Sequence, residues 1–518
     1  MKNFLHFAPK GEAFLPRAVR NFMFSGIGTF SSLVLGFLFA GFTVRYLGEA
    51  RAGYFMALAA LTGINALLGD FGLGAAAIRS VAALNVKNDF LTARTIVGSV
   101  ATASLLSSLL FAVPIGILFP AVFRWARLSQ QFQHDAFGAT LFSLGSFVLA
   151  SVSSPWRATY NAVERYDLLS AIDSVFGLVS GLGGIGVLIL FPTMSSLAAL
   201  RLILSLARLV TDAFVLRNLL RGPVWPTWSW AVMRPLIGFG AWAWIGNQGN
   251  LLLGRLISLI LTTSLGSAIL PFYELPQRLF TQVHSSLAAQ SQFLFPMLAS
   301  YGEKTGEQIN RLDDRLRWFV AVASGGIYCA IALTGPVFLS LLVGPIFAEK
   351  ARLLLYLACL QGFFQAQDIV PYYTSYALGL GRPNSIIQIG QGLCVAATAL
   401  FLIPRLGVTG AGLAQLWVVI AVIIHQLWVR QLISPALAMW GWLRSFNSPL
   451  IMILVCLSIG WLFRGIANGG WIGTVLAASL GAVAGIGSLF IIEAAISPQN
   501  QRWATVMRIV GFVRRRSR

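Results

Sequence analysis

Long apolar runs succeed one another along the whole chain, and they constrain its fold more than any other feature. Fourteen stand out, at about 22–44, 54–78, 95–119, 136–156, 170–191, 196–216, 235–262, 268–298, 318–343, 353–376, 385–403, 408–433, 447–463 and 470–492. Each is near the roughly 20 residues with which a helix crosses about 30 Å of hydrocarbon. In lipid a backbone N–H or C=O finds no water, so each segment must satisfy its own polar groups, as an α-helix does. The ten-residue alternating segments of a transmembrane barrel do not occur. Hydrophobic residues make up 57% and charged residues 10%, which leaves too few charges to cover a set of water-soluble domains. The sequence predicts an all-α polytopic membrane protein of about fourteen transmembrane helices.

The formal net charge of +20 acquires its meaning from where the charges fall. With the N-terminus in the cytoplasm, the inner segments carry 25 of the 37 Lys and Arg and the outer loops 8. By the positive-inside rule this predicts an even number of spans with both termini cytoplasmic. A nucleic-acid partner is not needed to explain the surplus. Met1 to Arg20 carries charges and two prolines, unlike a cleaved signal. From Gln501 to Arg518, Trp503, Val506, Met507, Val510 and Val513 fall at helical spacing before a run of arginines. An amphipathic helix on the anionic inner leaflet is the expectation, with membrane lipids as partners. Cys329, Cys359, Cys394 and Cys456 lie in predicted spans without metal-ligand spacing and read as small buried hydrophobes.

Landmarks recur in order. Leu47-Gly48-Glu49-Ala50 running on to Gly53-Tyr54-Phe55 is echoed by Leu265-Gly266-Ser267-Ala268 running on to Pro271-Phe272-Tyr273, 218 positions later. Tyr160 with Arg165 is echoed by Tyr376 with Arg382, and Leu190-Phe191-Pro192 by Leu402-Ile403-Pro404. The offset spans six predicted helices, an even number, so the halves run the same way about an axis along the membrane normal. Two six-helix bundles related by a pseudo-two-fold axis follow, over 1–216 and 217–433. A transmembrane hairpin (434–492) and a basic amphipathic tail (493–518) complete the chain. A cleft between two such bundles suits alternating access.

No Walker-type phosphate loop and no H-E-x-x-H occur, and no catalytic constellation is visible, so the chain reads as a non-enzyme without a cofactor. Gly181-x-Gly183-x-x-Gly186 matches the dinucleotide fingerprint but lies inside an apolar run, where close helix packing accounts for it. Charges inside the runs are costly and default to functional candidates. They are Asp70, Asp173, Arg208, Asp212, Arg255, Glu274, Arg278 and Asp368. Arg208 with Asp212, and Glu274 with Arg278, are spaced for neutralising pairs on one helix face. Arg255 has no acidic neighbour in sequence and must meet a cavity, a distant carboxylate or an anionic ligand.

Arg45-Tyr46-Leu47-Gly48, Gly53-Tyr54-Phe55 and Asp70-Phe71-Gly72-Leu73 resemble the opening signature of the polysaccharide-lipid flippases. These belong to the multidrug/oligosaccharidyl-lipid/polysaccharide exporter superfamily. Arg157 to Asp167, Gly344-Pro345-Ile346-Phe347, Leu380-Gly381-Arg382-Pro383 and Gly407-Val408-Thr409-Gly410-Ala411-Gly412 extend the likeness over nearly the whole chain. The Wzx-type branch, which carries O-antigen and exopolysaccharide units, is the most similar. The resemblance implies a bacterial inner-membrane flippase that moves undecaprenyl-diphosphate-linked oligosaccharide to the periplasmic leaflet, serving lipopolysaccharide synthesis alongside polymerase and chain-length components. In the related lipid II flippases an arginine of the eighth span contacts the diphosphate, which nominates Arg278. Their first-span arginine cluster has no match here, favouring the oligosaccharide branch. Arg255, Arg278, Arg208 and Glu274 are thus the candidate substrate-binding residues. Asp70, Asp212 and Asp368 are the candidates for coupling to H+ or Na+. A multidrug antiporter of the same superfamily predicts an acidic cavity, against which the unpaired Arg255 argues. A membrane-embedded polymerase or ligase predicts a large outer loop, and Pro120 to Asp135 is short.

Overall fold

The computed structural model describes residues 35–70, 73–163, 165–234, 255–291, 306–377, 381–433, 438–466 and 471–496. The first half comprises α1 (Leu35–Leu47), α2 (Glu49–Asp70), α3 (Leu73–Val86), α4 (Phe90–Ile117), α5 (Phe119–Trp125), α6 (Gln133–Ala162), α7 (Tyr166–Leu190) and α8 (Met194–Leu219). The second half begins with α9 (Arg255–Leu265). It continues with α10 (Leu270–Gln290), α11 (Gly306–Leu342), α12 (Pro345–Ala366), α13 (Ile369–Ala377), α14 (Gly381–Leu406), α15 (Val408–Ala414) and α16 (Trp417–Ile433). Two further helices, α17 (Ala438–Ile466) and α18 (Trp471–Ile496), follow. No strand occurs among the described residues.

Seven stretches among these residues are long and apolar enough to cross a membrane, and four shorter apolar helices accompany them. The protein is a multi-pass, all-helical membrane protein. Leu110, Leu190, Phe214 and Ile346 stand more than half exposed, positions suited to hydrocarbon rather than water. Every predicted run overlaps a described helix, but two runs are broken in their interior by described turns. Run 353–376 divides into α12 and α13 at Gln367 and Asp368, and run 408–433 into α15 and α16 at Gln415 and Leu416. Helix α11 starts twelve residues before its apolar run. Its first turns carry Asp313, which pairs with Arg317 (2.5 Å), and Asp314, which pairs with Arg430 of α16 (2.5 Å). Arg317 is only 2% exposed, so charges expected in a solvated loop are packed inside the bundle instead.

In the first half α6 packs against α3, α4 and α8, while α7 lies on α8. In the second, α12 packs against α10, α11 and α16. Helices α17 and α18 pack on each other and on α11. The halves meet where α2 touches α10 and the turn Ser267–Ile269. Here the repeated sequence becomes repeated geometry. Gly48 and Gly266 both take positive φ, +79° and +91°, each between the end of one helix and the start of the next. Only glycine holds such a backbone without strain. The two motifs also touch: a Cβ on Gly53 would lie 1.7 Å from the Ser267 carbonyl oxygen.

The glycines of α7 serve packing. A Cβ on Gly184 would fall 2.4 Å from the Phe39 ring, and one on Gly181 would crowd Leu35 at 3.3 Å, so α7 seats α1. Three of the cysteines are buried as expected; Cys394 instead is exposed, on the face of α14 that also exposes Phe401. The basic tail expected at 501–518 lies outside the described residues.

Asp135 at the start of α6 caps its neighbour α8. Its carboxylate accepts from the Met194 N–H (3.0 Å), the Ser195 N–H (2.8 Å) and the Ser195 hydroxyl (2.7 Å). Those N–H groups have no acceptor within the helix, and the helix dipole favours a negative charge there. Asp135→Ala is expected to cost about 0.5–2 kcal/mol. Thermal unfolding of the purified protein checks this, and an unchanged midpoint would contradict the capping role.

Candidate functional site

A cavity of about 760 Å³ opens in the second half of the molecule, a size suited to a substantial ligand. Helix α10 supplies more of its wall than any other described helix because Tyr273, Gln277 and Thr281, and likewise Glu274, Arg278 and Gln282, recur every fourth residue on one face. Arg255 and Ser258 come from α9, Gln361 and Gln365 from α12, Tyr372 and Tyr373 from α13, and Gln388 and Gln391 from α14. Among the described residues of the first half, Ala59 of α2 lines it.

Arg255 is exposed to this cavity. Its Nε lies 3.3 Å from where a Cβ on Gly63 would sit, so the missing side chain on α2 leaves the guanidinium its room. It has no carboxylate partner among the described residues. Arg278 stands 3.9 Å from Glu274. That is an ion pair but too long for a hydrogen bond, so its N–H donors remain available. Glu274 is steadied by the Ser258 hydroxyl, which donates to it at 2.5 Å. Arg255 and Arg201 are both near enough to Arg278 for the positive charges to act on one another. Arg201 belongs to α8 of the first half and stacks its guanidinium over Phe55, 4.4 Å from the ring centre. The sequence left Arg201 unassigned, since nothing local distinguishes it from an edge-of-span arginine.

Asp368 occupies the break between α12 and α13 and also faces the cavity. Its two oxygens are engaged by nitrogen, one by His425 Nδ1 at 2.6 Å and the other by the Gln388 amide at 3.4 Å. His425 was not anticipated. It lies 57 residues away on α16 with its ring 1% exposed. A second polar chain lines the same wall. Gln277 donates to Gln361 (3.0 Å), Gln361 to Gln415 (3.2 Å), and Gln415 to the Tyr273 hydroxyl oxygen (2.7 Å).

Arg208 and Asp212 are placed elsewhere, in a cluster between α6, α7 and α8. Arg208 donates to Asp173 and stands 3.9 Å from Asp212. Arg157 reaches Asp173 as well, at 3.1 Å. Asp212 is fully buried and accepts from Ser153 (2.8 Å) and Tyr160 (3.0 Å). Neither Arg208 nor Asp212 is among the cavity's lining residues. The Asp70 side chain lies outside the described residues. An apolar hollow of about 660 Å³ adjoins α11, α12 and α17, lined by Tyr328, Leu333, Leu360, Phe363, Leu457 and Trp461.

The profile of the polysaccharide biosynthesis protein family matches residues 43–352, more than half of the chain. A candidate O-antigen transporter of Shigella flexneri is 21% identical over 384 residues, covering 72% of this chain and 88% of that protein. Among solved structures, the lipid II flippase MurJ in an inward closed conformation superposes with a TM-score of 0.68 at 14% identity, covering 91% of this chain and 98% of that one. An inward-facing multidrug resistance MATE family transporter of the MOP superfamily gives 0.63 at 17% identity, covering 79% and 98%. The chain shares their fold.

Proposed function

The chain belongs to the polysaccharide biosynthesis protein family, and from that premise we propose that it is a flippase for a glycan carried on undecaprenyl diphosphate. The load would pass from the cytoplasmic to the periplasmic leaflet of the bacterial inner membrane, with both chain termini in the cytoplasm. The observation that carries this reading is Arg255, an arginine without a carboxylate partner among the described residues, in a cavity that Arg278 also lines. A diphosphate supplies the missing anion, and in a site poor in water such charge-assisted bonds are strong.

The two six-helix bundles, 1–216 and 217–433, would rock about the axis that relates them. The glycan would ride in the cavity, and the polyprenyl chain would leave sideways toward the apolar hollow beside the 434–492 hairpin. For energy coupling Asp368 is better placed than Asp212, because it faces the cavity while Asp212 is sealed. Nitrogen donors occupy both Asp368 oxygens, a setting that favours H+ over Na+, whose shell is built from oxygen. A cation-extruding antiporter fits less well, since Glu274 and Asp368 are both already engaged.

Deleting the gene tests the assignment. Lipid-linked oligosaccharide is expected to accumulate on the cytoplasmic leaflet, read by its protection from a membrane-impermeant oxidant in right-side-out vesicles and its attack in inverted ones. Normal glycan export from a deletion strain that has no second flippase would overturn it.

A further inference from the structure

Seven of the chain's nineteen glutamines line the cavity. An amide inside a bundle of apolar helices is costly unless it is hydrogen-bonded. Gln277, Gln361 and Gln415 satisfy one another in sequence and end on Tyr273, which returns the relay to α10, where it began. Apolar side chains of similar volume would join the same helices without any polar desolvation. The amides therefore do something that packing does not require.

Their remaining valence indicates what that is. Each amide nitrogen carries two hydrogens and uses one in the relay, and the Gln277 carbonyl oxygen has no donor among the described residues. The relay thus offers the cavity several donors and an acceptor, the complement of a hydroxylated ring. It begins at Gln277, the residue before Arg278, so a group joined directly to a diphosphate on Arg278 and Arg255 lies against it. Tyr372 and Tyr373, edge to face at 5.4 Å, add flat apolar surface to the same cavity. Charge narrows the class further. Both cavity carboxylates are engaged, Glu274 by Ser258 and Arg278, Asp368 by His425 and Gln388, so an ammonium group would find arginines and no free anion.

We propose that the Gln277–Gln361–Gln415–Tyr273 relay is the subsite for the pyranose attached to the diphosphate, taking an uncharged sugar with hydroxyl or acetamido groups and rejecting a free amino sugar. This rests on the flippase reading. The test uses the purified full-length protein and three radiolabelled probes. They are farnesyl diphosphate, farnesyl-diphosphate-linked N-acetylglucosamine and its deacetylated counterpart.

The acetylated probe is expected to bind about tenfold more tightly than farnesyl diphosphate, as for one or two hydrogen bonds gained. The deacetylated probe should show no such gain. In Gln361→Leu, and in the less buried Gln277→Leu, the acetylated probe should fall to the affinity of the sugar-free lipid. An acetylated probe that gains nothing in the parent protein, or keeps its full gain in Gln277→Leu, overturns the subsite. Equal binding of the deacetylated probe overturns the charge rule. Failure of the parent protein to bind farnesyl diphosphate at all overturns the flippase reading instead.

Discussion

Arg255→Ala is expected to abolish glycan export and to leave the protein folded. The side chain is exposed to the cavity and bonds to no carboxylate among the described residues, so its removal strands no partner and opens no packed core. What disappears is a cation that meets the anion. Loss of a hydrogen bond to a charged group costs about 1.5–3 kcal/mol, or roughly 10- to 150-fold in affinity. Arg255→Lys keeps the charge but not the planar fork, and should fall between the two. Arg278→Ala is expected to do at least as much harm, for a second reason. It leaves Glu274 as an unbalanced negative charge beside the phosphates, with Ser258 as its remaining partner. Adding Glu274→Gln to Arg278→Ala should then restore part of the binding. The measurements are rescue of a deletion strain and equilibrium binding of farnesyl diphosphate. Full rescue by both alanine variants would refute a cationic cleft.

The second large effect is conformational. Gly53→Ala places a methyl group 1.7 Å from the Ser267 carbonyl oxygen and 3.1 Å from the Pro271 ring. Backbone cannot yield as the tip of a side chain does, so the two halves must part at this end. Overpacking of this kind costs about 1–3 kcal/mol, which shifts a two-state equilibrium roughly 5- to 150-fold toward the state lacking the contact. In the proposed topology this contact closes the periplasmic end. A single cysteine at Ser285, in a background without the four native ones, reports on it. Labelling of Ser285→Cys from the periplasmic side by an impermeant maleimide should rise at least several-fold when Gly53→Ala is added. Unchanged labelling would mean that the contact at Gly53 holds no gate.

The helices and their order were legible in the sequence because each helix is written in neighbouring residues. Run length alone announces a span, and the matched Leu-Gly motifs announced the glycines that later proved to share a positive φ. The breaks were less legible. A run of hydropathy continues through Gln367 and Asp368, although the helix does not. Within the site, searching for charges inside apolar runs picked out Arg255, Glu274, Arg278 and Asp368, which the fold brings to one cavity. The same search grouped Arg208 with Asp212 by spacing, while its nearer partner, Asp173, sits 35 residues away on α7. Partners across helices leave no local trace. His425 and the glutamines escaped for a different reason, being formally uncharged. A signal for them did exist: Gln361, Gln365 and Gln367 crowd into a single apolar run.

The one-sided lining of the cavity has a mechanical consequence. Among the described residues all of its lining but Ala59 belongs to the second half, so in the proposed cycle the load is held by one body and covered by the other. In the proposed cycle the two halves would divide the labour into cradle and shutter. In the frame of the second half such a cargo would scarcely move during a cycle; the first half would slide past it, and the membrane would change sides around a stationary passenger.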